Sequence, residues 1–239
     1  MTRSIETNRD WRQHWSTIVT RVGTQEFLRQ AERTIAGAPM DDIQIDLCLE
    51  SIRAALGLKS TDTLLDLCCG NGLLTKRLSA DCSHIIGVDI SRDLIEVARH
   101  NHAVENITYV CGPATEISTT ALGGFVPSKI VMCGGLQYFV EAGLRELMAK
   151  IDALSAQHVP IFFTDVPDVD RLYEFYDTPE RQAEFTRRRA AGTEAIGTWW
   201  SKQHLSEILE EHRYTAVFKS QDSRRFGAHY RFDLLAQPQ

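Results

Sequence analysis

Several patterns that would assign this chain to a common protein class are missing from its 239 residues. No apolar run approaches the roughly 20 residues that a membrane-spanning helix needs, and residues 1–12 lack the apolar core of a signal peptide. The six cysteines include no two pairs at zinc-ligand spacing. The net charge of −6 disfavours general nucleic-acid affinity, which requires clustered cationic surface. We therefore expect a cytoplasmic protein with free thiols, no metal and no membrane contact.

The segment 63–74 also lacks two familiar glycine patterns of nucleotide-binding proteins. It reads TLLDLCCGNGLL, an apolar strand pattern interrupted by Asp66 and followed by a turn that contains Gly70 and Gly72. No third glycine completes the dinucleotide motif Gly-x-Gly-x-x-Gly, and no Gly-Lys-Ser/Thr follows as in a phosphate loop. The carboxylate of Asp66 would repel a pyrophosphate and attract a cationic ligand.

A second acid follows the glycine turn at the distance found in nucleoside-binding α/β folds. The run IIGVD ends in Asp89, about 20 residues beyond the turn, where such an acid binds the ribose hydroxyls. The glycines allow the backbone to approach a ligand closely because they lack a Cβ atom. S-adenosylmethionine carries an ammonium and a sulfonium but no phosphate, so it suits an acidic turn. A nicotinamide cofactor is the alternative that these patterns leave open.

These motifs resemble those of class I S-adenosylmethionine-dependent methyltransferases. The family's first motif, Asp/Glu-x-Gly-x-Gly-x-Gly, appears here as Asp66-x-Cys68-x-Gly70-x-Gly72, with cysteine in the first glycine position. The resemblance covers residues 60–165 and extends to the remainder by topology. It implies that segment 66–72 binds the methionyl part of S-adenosylmethionine and that Asp89 binds its ribose.

The resemblance also implies further cofactor contacts. They fall at Asn71, Ile90, Gly112, Pro113, Ala114 and Cys133. The family's third motif often carries an acid near the adenine amino group, whereas segment 109–114 here reads YVCGPA. The adenine is then contacted by backbone alone, or by Thr115 or Glu116.

Strand and helix patterns alternate from residue 62 onward, which indicates an α/β fold with helices on both faces of a parallel sheet. We expect strands near 63–67, 85–89, 107–111, 129–133, 160–164, 214–220 and 230–236. We expect helices near 72–80, 91–100, 114–121, 139–154 and 201–212. The resemblance implies a seven-stranded Rossmann-like methyltransferase sheet of order 3-2-1-4-5-7-6 with the last strand antiparallel. Residues 1–58 predict an N-terminal helical extension that acts as a lid or substrate wall, or whose apolar stripes, with Trp11 and Trp15, simply pack on the sheet domain. Residues 59–239 are expected to form the methyltransferase domain.

The methyl acceptor is expected beyond the carboxyl ends of strands four and five, because ligands of open α/β sheets bind at that edge. The insert 166–200 is predicted to cover this site. We select His229 as candidate base, because imidazole titrates near neutrality; the alternative is a structural histidine bonded to a carbonyl. Asp165 either orients that histidine, binds a polar acceptor or caps a turn. Tyr138, beside Gln137, either lines the acceptor pocket or packs at a helix start.

The acceptor is expected to be a small molecule, with a hydroxyl of a sugar or natural-product intermediate preferred. Arg187, Arg188 and Arg189 predict an anion clamp for it, or else a solvated helix face. No Asn/Asp-Pro-Pro-Tyr/Phe sequence follows strand four, which weakens methylation of a nucleobase amine. A tRNA or rRNA methyltransferase and a non-catalytic cofactor-binding partner subunit remain as alternatives, and the chain is expected to be a monomer or a homodimer.

Overall fold

A computed structural model describes residues 3–154 and 157–239, whose centre is a seven-stranded sheet. Its strands are β1 (Thr63–Leu67), β2 (His84–Asp89), β3 (Ile107–Cys111), β4 (Lys129–Cys133), β5 (Ile161–Pro167), β6 (Tyr214–Ser220) and β7 (Arg231–Pro238). The order is β3-β2-β1-β4-β5-β7-β6. Strand β7 runs antiparallel to both β5 and β6, while the pairs from β3 to β5 are parallel. The predicted sheet is confirmed.

Both faces of the sheet are covered, which explains why its strands read as nearly continuous apolar runs. The helices are α1 (Trp11–Ser16), α2 (Ile18–Val22), α3 (Phe27–Gln30), α4 (Asp42–Leu56), α5 (Leu73–Arg77), α6 (Arg92–Asn101), α7 (Glu141–Leu154), α8 (Leu172–Phe175), α9 (Pro179–Ala190) and α10 (Lys202–Glu211). In β1, Leu65 faces a core that includes α7 and α10, while Leu64 faces the core under α4. The alternation follows from the two-residue period of a strand. Among the described residues, none of these helices is long and apolar enough to cross a membrane.

Two predicted helices are shorter than expected. The helix expected near 114–121 is a single 3₁₀ turn, Ala114–Glu116, and the following chain turns through Gly123 and Gly124 at φ of +63° and +85°. The chain leaves the helical path already at Ile117, whose ψ is 143°, and the two glycines adopt their positive φ angles without steric cost. Helix α5 ends at Arg77 and is followed by a 3₁₀ turn, Ser79–Asp81.

The N-terminal extension crosses the carboxyl edge of the sheet. Helix α4 is capped by the Asp41 carboxylate and packs against the sheet face. The preceding chain adds a short antiparallel ribbon, Thr34–Ile35 with Ala38–Pro39, that sequence patterns did not predict. Ile18 and Val19 of α2 pack against α6. These contacts bring α1 over the glycine turn and the end of β4, although its role as a lid stays a prediction.

The insert 166–200 folds around a small apolar cluster of its own. Helices α8 and α9 pack Leu172, Tyr176 and Phe185 against the fully buried Trp199. The neighbouring Trp200 is also fully buried and donates its indole N–H to the Leu136 carbonyl at 3.1 Å. The insert is therefore anchored to the loop that follows β4, and its inner surface faces the carboxyl edge of the sheet.

Candidate active site

A cavity of about 830 Å³ opens along the carboxyl edge of the sheet. Its walls are the glycine turn after β1, the rings of Trp11 and Trp15 from α1, and the side chains of Phe175 and Arg181 from the insert. Cavities of this size hold cofactors and drug-sized ligands. The extension and the insert thus enclose one space together with the sheet edge.

The glycine turn has a left-handed backbone at three positions. Cys68, Gly70 and Gly72 have φ of +59°, +58° and +77°. A side chain in this region is strained, and Cys68 bears that strain where the family pattern has glycine. A Cβ atom at Gly72 would collide with the Tyr109 ring, whereas one at Gly70 would meet nothing within 4 Å. Gly72 is therefore required by packing, and it does not line the cavity.

One end of the cavity, which we call the acidic end, holds Asp66 and Asp89. Asp66 accepts a hydrogen bond from the Thr75 hydroxyl at 2.6 Å, and burial raises its pKa to about 7, with the Asp89 charge adding to the effect. Asp89 accepts from the backbone N–H groups of Gly70 at 2.9 Å and Ser91 at 2.8 Å. Burial raises the pKa of Asp89 as well. Neither carboxylate forms an ion pair within the described residues. A bound cation would therefore supply the counter-charge that both buried carboxylates lack.

Most residues selected from the sequence for cofactor binding line this cavity. They are Asp66, Cys68, Gly70, Asn71, Asp89, Ile90, Pro113, Ala114 and Cys133. Gly72 and Gly112 do not. Thr115 lines the cavity, while Glu116 does not.

Asn71 ties the glycine turn to the extension. Its side-chain amide donates to the Phe27 carbonyl at 2.8 Å and to the Gln30 side chain at 2.9 Å. No sequence signal pointed to this link, because it joins residues 41 and 44 positions apart.

The opposite end of the cavity, which we call the arginine end, is rich in guanidinium groups and aromatic rings. Its lining residues are Arg33, Cys133, Gln137, Tyr138, Asp165, Phe175, Arg181, Tyr230 and Arg231. The Arg181 guanidinium lies 4.8 Å from the Phe175 ring, and the Arg231 guanidinium lies 4.9 Å from the Tyr230 ring. The two rings are 4.5 Å apart, so the two arginines flank one aromatic wall.

Asp165 is fully engaged by arginines. Its φ is +65°, at an irregularity in the pairing of β5 with β7. Its carboxylate accepts from Arg33 at 3.0 Å and Arg225 at 2.7 Å. Burial alone would raise the pKa of Asp165, but the guanidinium groups of Arg225, Arg33 and Arg231 hold that pKa well below its usual range. Asp165 therefore stays ionised and positions arginines, and it is a poor proton acceptor.

The proposed base His229 lies outside the cavity lining. It is exposed, its Nδ1 is 3.1 Å from the Phe226 carbonyl oxygen, and it does not contact Asp165. The tight turn before β7, with hydrogen bonds from Tyr230 and Arg231 to the Gly227 carbonyl, directs Arg231 toward the cavity instead. The geometry agrees with the structural alternative for His229.

Tyr138 lines the cavity as a half-buried, neutral phenol. Its ring contacts those of Trp11 and Trp15, with centroid distances of 4.7 and 5.3 Å, and its hydroxyl accepts from the Gln137 amide at 2.9 Å. Burial raises the pKa of Tyr138 far above neutrality. Tyr138 is therefore suited to packing and hydrogen bonding, and not to accepting a proton.

The arginine run selected as an anion clamp faces away from the cavity. Arg187 and Arg188 pair with Glu184 on the same helix, and Arg189 does not line the cavity either. Arg181, two turns earlier on α9, is the residue of this helix that reaches it. Sequence reasoning missed Arg33, Arg181 and Arg231 as a group, because they come from three separate segments.

Part of the chain is similar to known proteins. Residues 64–157, less than half of the chain, match the family described as a methyltransferase domain. An uncharacterised methyltransferase of Schizosaccharomyces pombe is 48% identical over 44 residues, 18% of this chain and 17% of that protein. Ribosomal RNA small subunit methyltransferase A of Coxiella burnetii is 28% identical over 112 residues, 46% and 43% of the two chains. The chain spans less than half the length of these relatives.

Solved structures share the fold over nearly the whole chain. An S-adenosylmethionine-dependent methyltransferase from Anabaena variabilis has a TM-score of 0.63 at 14% identity, covering 100% of this chain and 99% of that one. DhpI, solved as a complex with SAH, has a TM-score of 0.62 at 13% identity, covering 95% and 94%. At identities this low, the TM-scores show a common fold and nothing more. The aligned regions include the extension and the insert.

Proposed function

We propose that this chain, which carries a class I S-adenosylmethionine-dependent methyltransferase domain, methylates an acidic oxygen atom of a small anionic molecule. The observation that carries the proposal is the charge at the arginine end. Three guanidinium groups line it, from Arg33, Arg181 and Arg231, together with the carboxylates of Asp165 and Glu32. Arg181 also pairs with Asp177 at 2.7 Å. Guanidinium N–H groups in the lining favour an anionic ligand over a protonated amine.

The acidic end suits the cofactor. The unpaired carboxylate of Asp66 fits the methionyl ammonium, and Asp89, held by two backbone N–H groups, fits the ribose hydroxyls. S-adenosylmethionine supplies a methyl group on a sulfonium, and transfer to an oxygen anion leaves a neutral thioether. The positive charge of the cofactor thus meets carboxylates, and the acceptor meets guanidinium groups.

An acidic oxygen explains the absence of a suitable base. The described residues that line the cavity include no histidine and no lysine. Asp165 stays ionised, Tyr138 stays protonated, and the Glu32 carboxylate is 2.8 Å from the His14 ring nitrogen. A carboxylate, phosphate or phosphonate oxygen is already ionised near neutral pH, so its methylation requires positioning and no proton acceptor. Trp11, Trp15 and Tyr138 would exclude water from the reacting atoms. A sugar hydroxyl, the acceptor preferred from the sequence, would lack its base here.

Calorimetry with S-adenosylhomocysteine tests the cofactor assignment first. The saturated protein is then titrated with benzoate, phenylphosphonate, benzyl alcohol and benzylamine. We expect one of the two acids to bind about tenfold more tightly than the alcohol or the amine, as charge-assisted hydrogen bonds to guanidinium groups predict. Equal affinities for all four, with intact cofactor binding, would contradict the acidic acceptor alone.

Transfer of label from methyl-labelled S-adenosylmethionine to a small-molecule extract tests the reaction itself. Carboxylic methyl esters release labelled methanol in mild alkali, while phosphonate esters resist alkali and are retained by an anion exchanger. Label in alkali-stable neutral or cationic products would indicate ethers or methylamines and contradict the proposal.

RNA is the second candidate acceptor, because several relatives of this segment are described as RNA methyltransferases. The net charge of −6 argues against a broad RNA-binding surface. Retention of ribosomal RNA at low ionic strength that falls steeply with salt, together with label incorporation into that RNA, would favour this candidate over the small-molecule one.

A further inference from the structure

Two cysteines from distant parts of the chain meet beside the arginine end. Cys48 lies in α4 and Cys133 ends β4, and their Sγ atoms form a hydrogen bond at 3.2 Å. Cys133 lines the cavity, whereas Cys48 is 1% exposed and belongs to the core under α4. This thiol pair therefore has one sulfur accessible from the cavity and a second directly behind it.

Positive charge surrounds the thiol pair. The Arg33 guanidinium donates a hydrogen bond to Cys133 Sγ at 2.9 Å. The hydrogen bond with Cys133, and the nearby guanidinium groups of Arg33 and Arg225, lower the pKa of the Cys48 thiol although burial opposes this. The same hydrogen bond, with burial, raises the pKa of Cys133, so the pair shares one proton. Cationic neighbours stabilise the thiolate, which is the nucleophilic form of cysteine. One negative charge shared between the two sulfurs is thus favoured at this point.

Three other cysteines, the buried Cys82 and the half-buried Cys68 and Cys69, lack a neighbouring guanidinium group in the described part of the chain. Burial, with the charges of Asp89 and Asp66, raises the pKa values of Cys68 and Cys69. Burial raises the pKa of Cys82 to about 11. Within the described residues, no second pair of cysteine sulfurs is in hydrogen-bonding contact, so the chain contains its own controls.

A metal ion is a poorer interpretation of this cluster. Cys48, Cys133 and Asp165 present ligand atoms within 4.8 Å of one another. However, both carboxylate oxygens of Asp165 already accept from guanidinium groups, so a cation would meet fixed positive charges at short range. The same charges favour a thiolate, which points to redox chemistry.

We propose that Cys48 and Cys133 form a reversible oxidation site that hydrogen peroxide converts into a disulfide bond. Cys133, which faces the cavity, takes one peroxide oxygen and becomes a sulfenic acid, with release of one water. The Cys48 sulfur then attacks this sulfur, the S–O bond breaks, and hydroxide leaves as a second water with the Cys48 proton. Two thiols lose two electrons, and the peroxide is reduced to two waters.

The disulfide would link the extension covalently to the sheet. Helix α4 belongs to the extension and β4 to the sheet, and the two cysteines are 85 positions apart. The bond would also take the Cys133 sulfur away from the Arg33 guanidinium. Oxidation would therefore change a wall of the cavity without adding a group to it.

Peptide mapping of the intact protein tests the site. The full chain is treated with hydrogen peroxide, its remaining thiols are alkylated in denaturant, and the digest is analysed by mass spectrometry. We expect a Cys48–Cys133 linked peptide with two hydrogens fewer than its two parents, lost again after dithiothreitol. An Arg33→Met variant should form it several-fold more slowly, because its guanidinium no longer stabilises the thiolate.

The controls follow from the other cysteines. Cys82→Ser removes a buried thiol without a partner sulfur and should leave the linked peptide unchanged. Cys48→Ser should abolish the link and leave Cys133 to proceed to sulfinic acid. The proposal is wrong if Cys48 and Cys133 both remain alkylatable in the peroxide-treated wild-type protein, or if Cys68 and Cys69 are linked in their place. The wild-type map decides this even where a variant fails to fold.

Discussion

The two ends of the cavity are built from opposite charges and balanced in opposite ways. At the acidic end, Asp66 and Asp89 are buried with hydrogen bonds but no ion pair, and burial raises both pKa values. At the arginine end, Asp165 is surrounded by guanidinium groups and stays ionised. The acidic end therefore lacks a cation until a ligand supplies one, while the arginine end is stable without a ligand.

This difference determines which ligand charge each end of the cavity favours. Buried carboxylates without a counter-charge are costly, so a cationic nucleoside bound at the acidic end would lower that cost. At the arginine end the carboxylate of Asp165 already has its counter-charges, and selectivity would come from guanidinium N–H groups that face the cavity. Variants at the two ends should consequently fail in different assays.

The largest effect is expected from breaking the network at the arginine end. Asp165→Asn should lower the free energy of unfolding by about 3–5 kcal/mol, because it leaves buried guanidinium groups without their counter-charge. Urea unfolding followed by circular dichroism measures this. Asp222→Asn, which removes an exposed ion pair with Arg224, is the matched control and should leave the unfolding midpoint unchanged. An equally small effect at Asp165 would mean that its network is not structural.

The next largest effect is expected at the acidic end, and in binding rather than in folding. Asp89→Asn should weaken S-adenosylhomocysteine binding by about 10- to 100-fold, the range for a hydrogen bond to a charged group. Calorimetry measures this, with Asp46→Asn on the outside of α4 as the control. Unchanged affinity in Asp89→Asn would remove the ribose assignment, and with it the cofactor orientation.

Sequence patterns predicted the acidic end well because its residues are close in the chain. Asp66, Gly70 and Asp89 belong to two neighbouring strands and one turn, so spacing alone brings them together. The sheet order, which the resemblance implied, is confirmed, and residues 64–157 match a methyltransferase domain. Two predicted cofactor residues do not line the cavity: Gly72, which packs against Tyr109, and Gly112.

The arginine end was not predictable in this way. Arg33, Arg181 and Arg231 come from the extension, the insert and the last strand, and only the folded chain brings them to one wall. The adjacent run Arg187 to Arg189 gave a stronger sequence signal than any of them, yet its side chains lie on the outer face of α9. Likewise, strand alternation cannot place His229, because a tight turn precedes β7.

A smaller effect is expected in the pH dependence of ligand affinity, which should differ between the two ends. Asp66 in the free protein has a pKa raised to about 7, and a bound ammonium would favour its ionised form. S-adenosylhomocysteine affinity should then rise about tenfold between pH 6 and pH 8, as proton linkage requires. Asp66→Asn should abolish this rise, whereas affinity of the acid probes at the arginine end should not follow it.

The stability of the free protein should show the opposite trend. The pKa of Asp66 is higher in the folded than in the unfolded chain, so the folded state binds more protons between pH 4 and pH 7 and unfolding releases them. Stability therefore falls as pH rises through this window. A thermal midpoint that falls from pH 5 to pH 7.5 in the wild type and less in Asp66→Asn would support this. Identical curves would show that Asp66 titrates normally.

The smallest effect is expected from Arg181→Gln, and it distinguishes the cavity-facing arginine from the sequence-selected run. The Arg181 side chain is 45% exposed, so solvent screens its charge and its contribution should be modest. We expect the affinity of the saturated protein for benzoate or phenylphosphonate to fall three- to tenfold or about 1 kcal/mol, with S-adenosylhomocysteine affinity unchanged. Arg187→Gln, on the outer face of the same helix, should change neither. If the two variants behaved alike, the positive charge would act through the general field of α9. The proposal that the arginine end selects the acceptor would then be wrong.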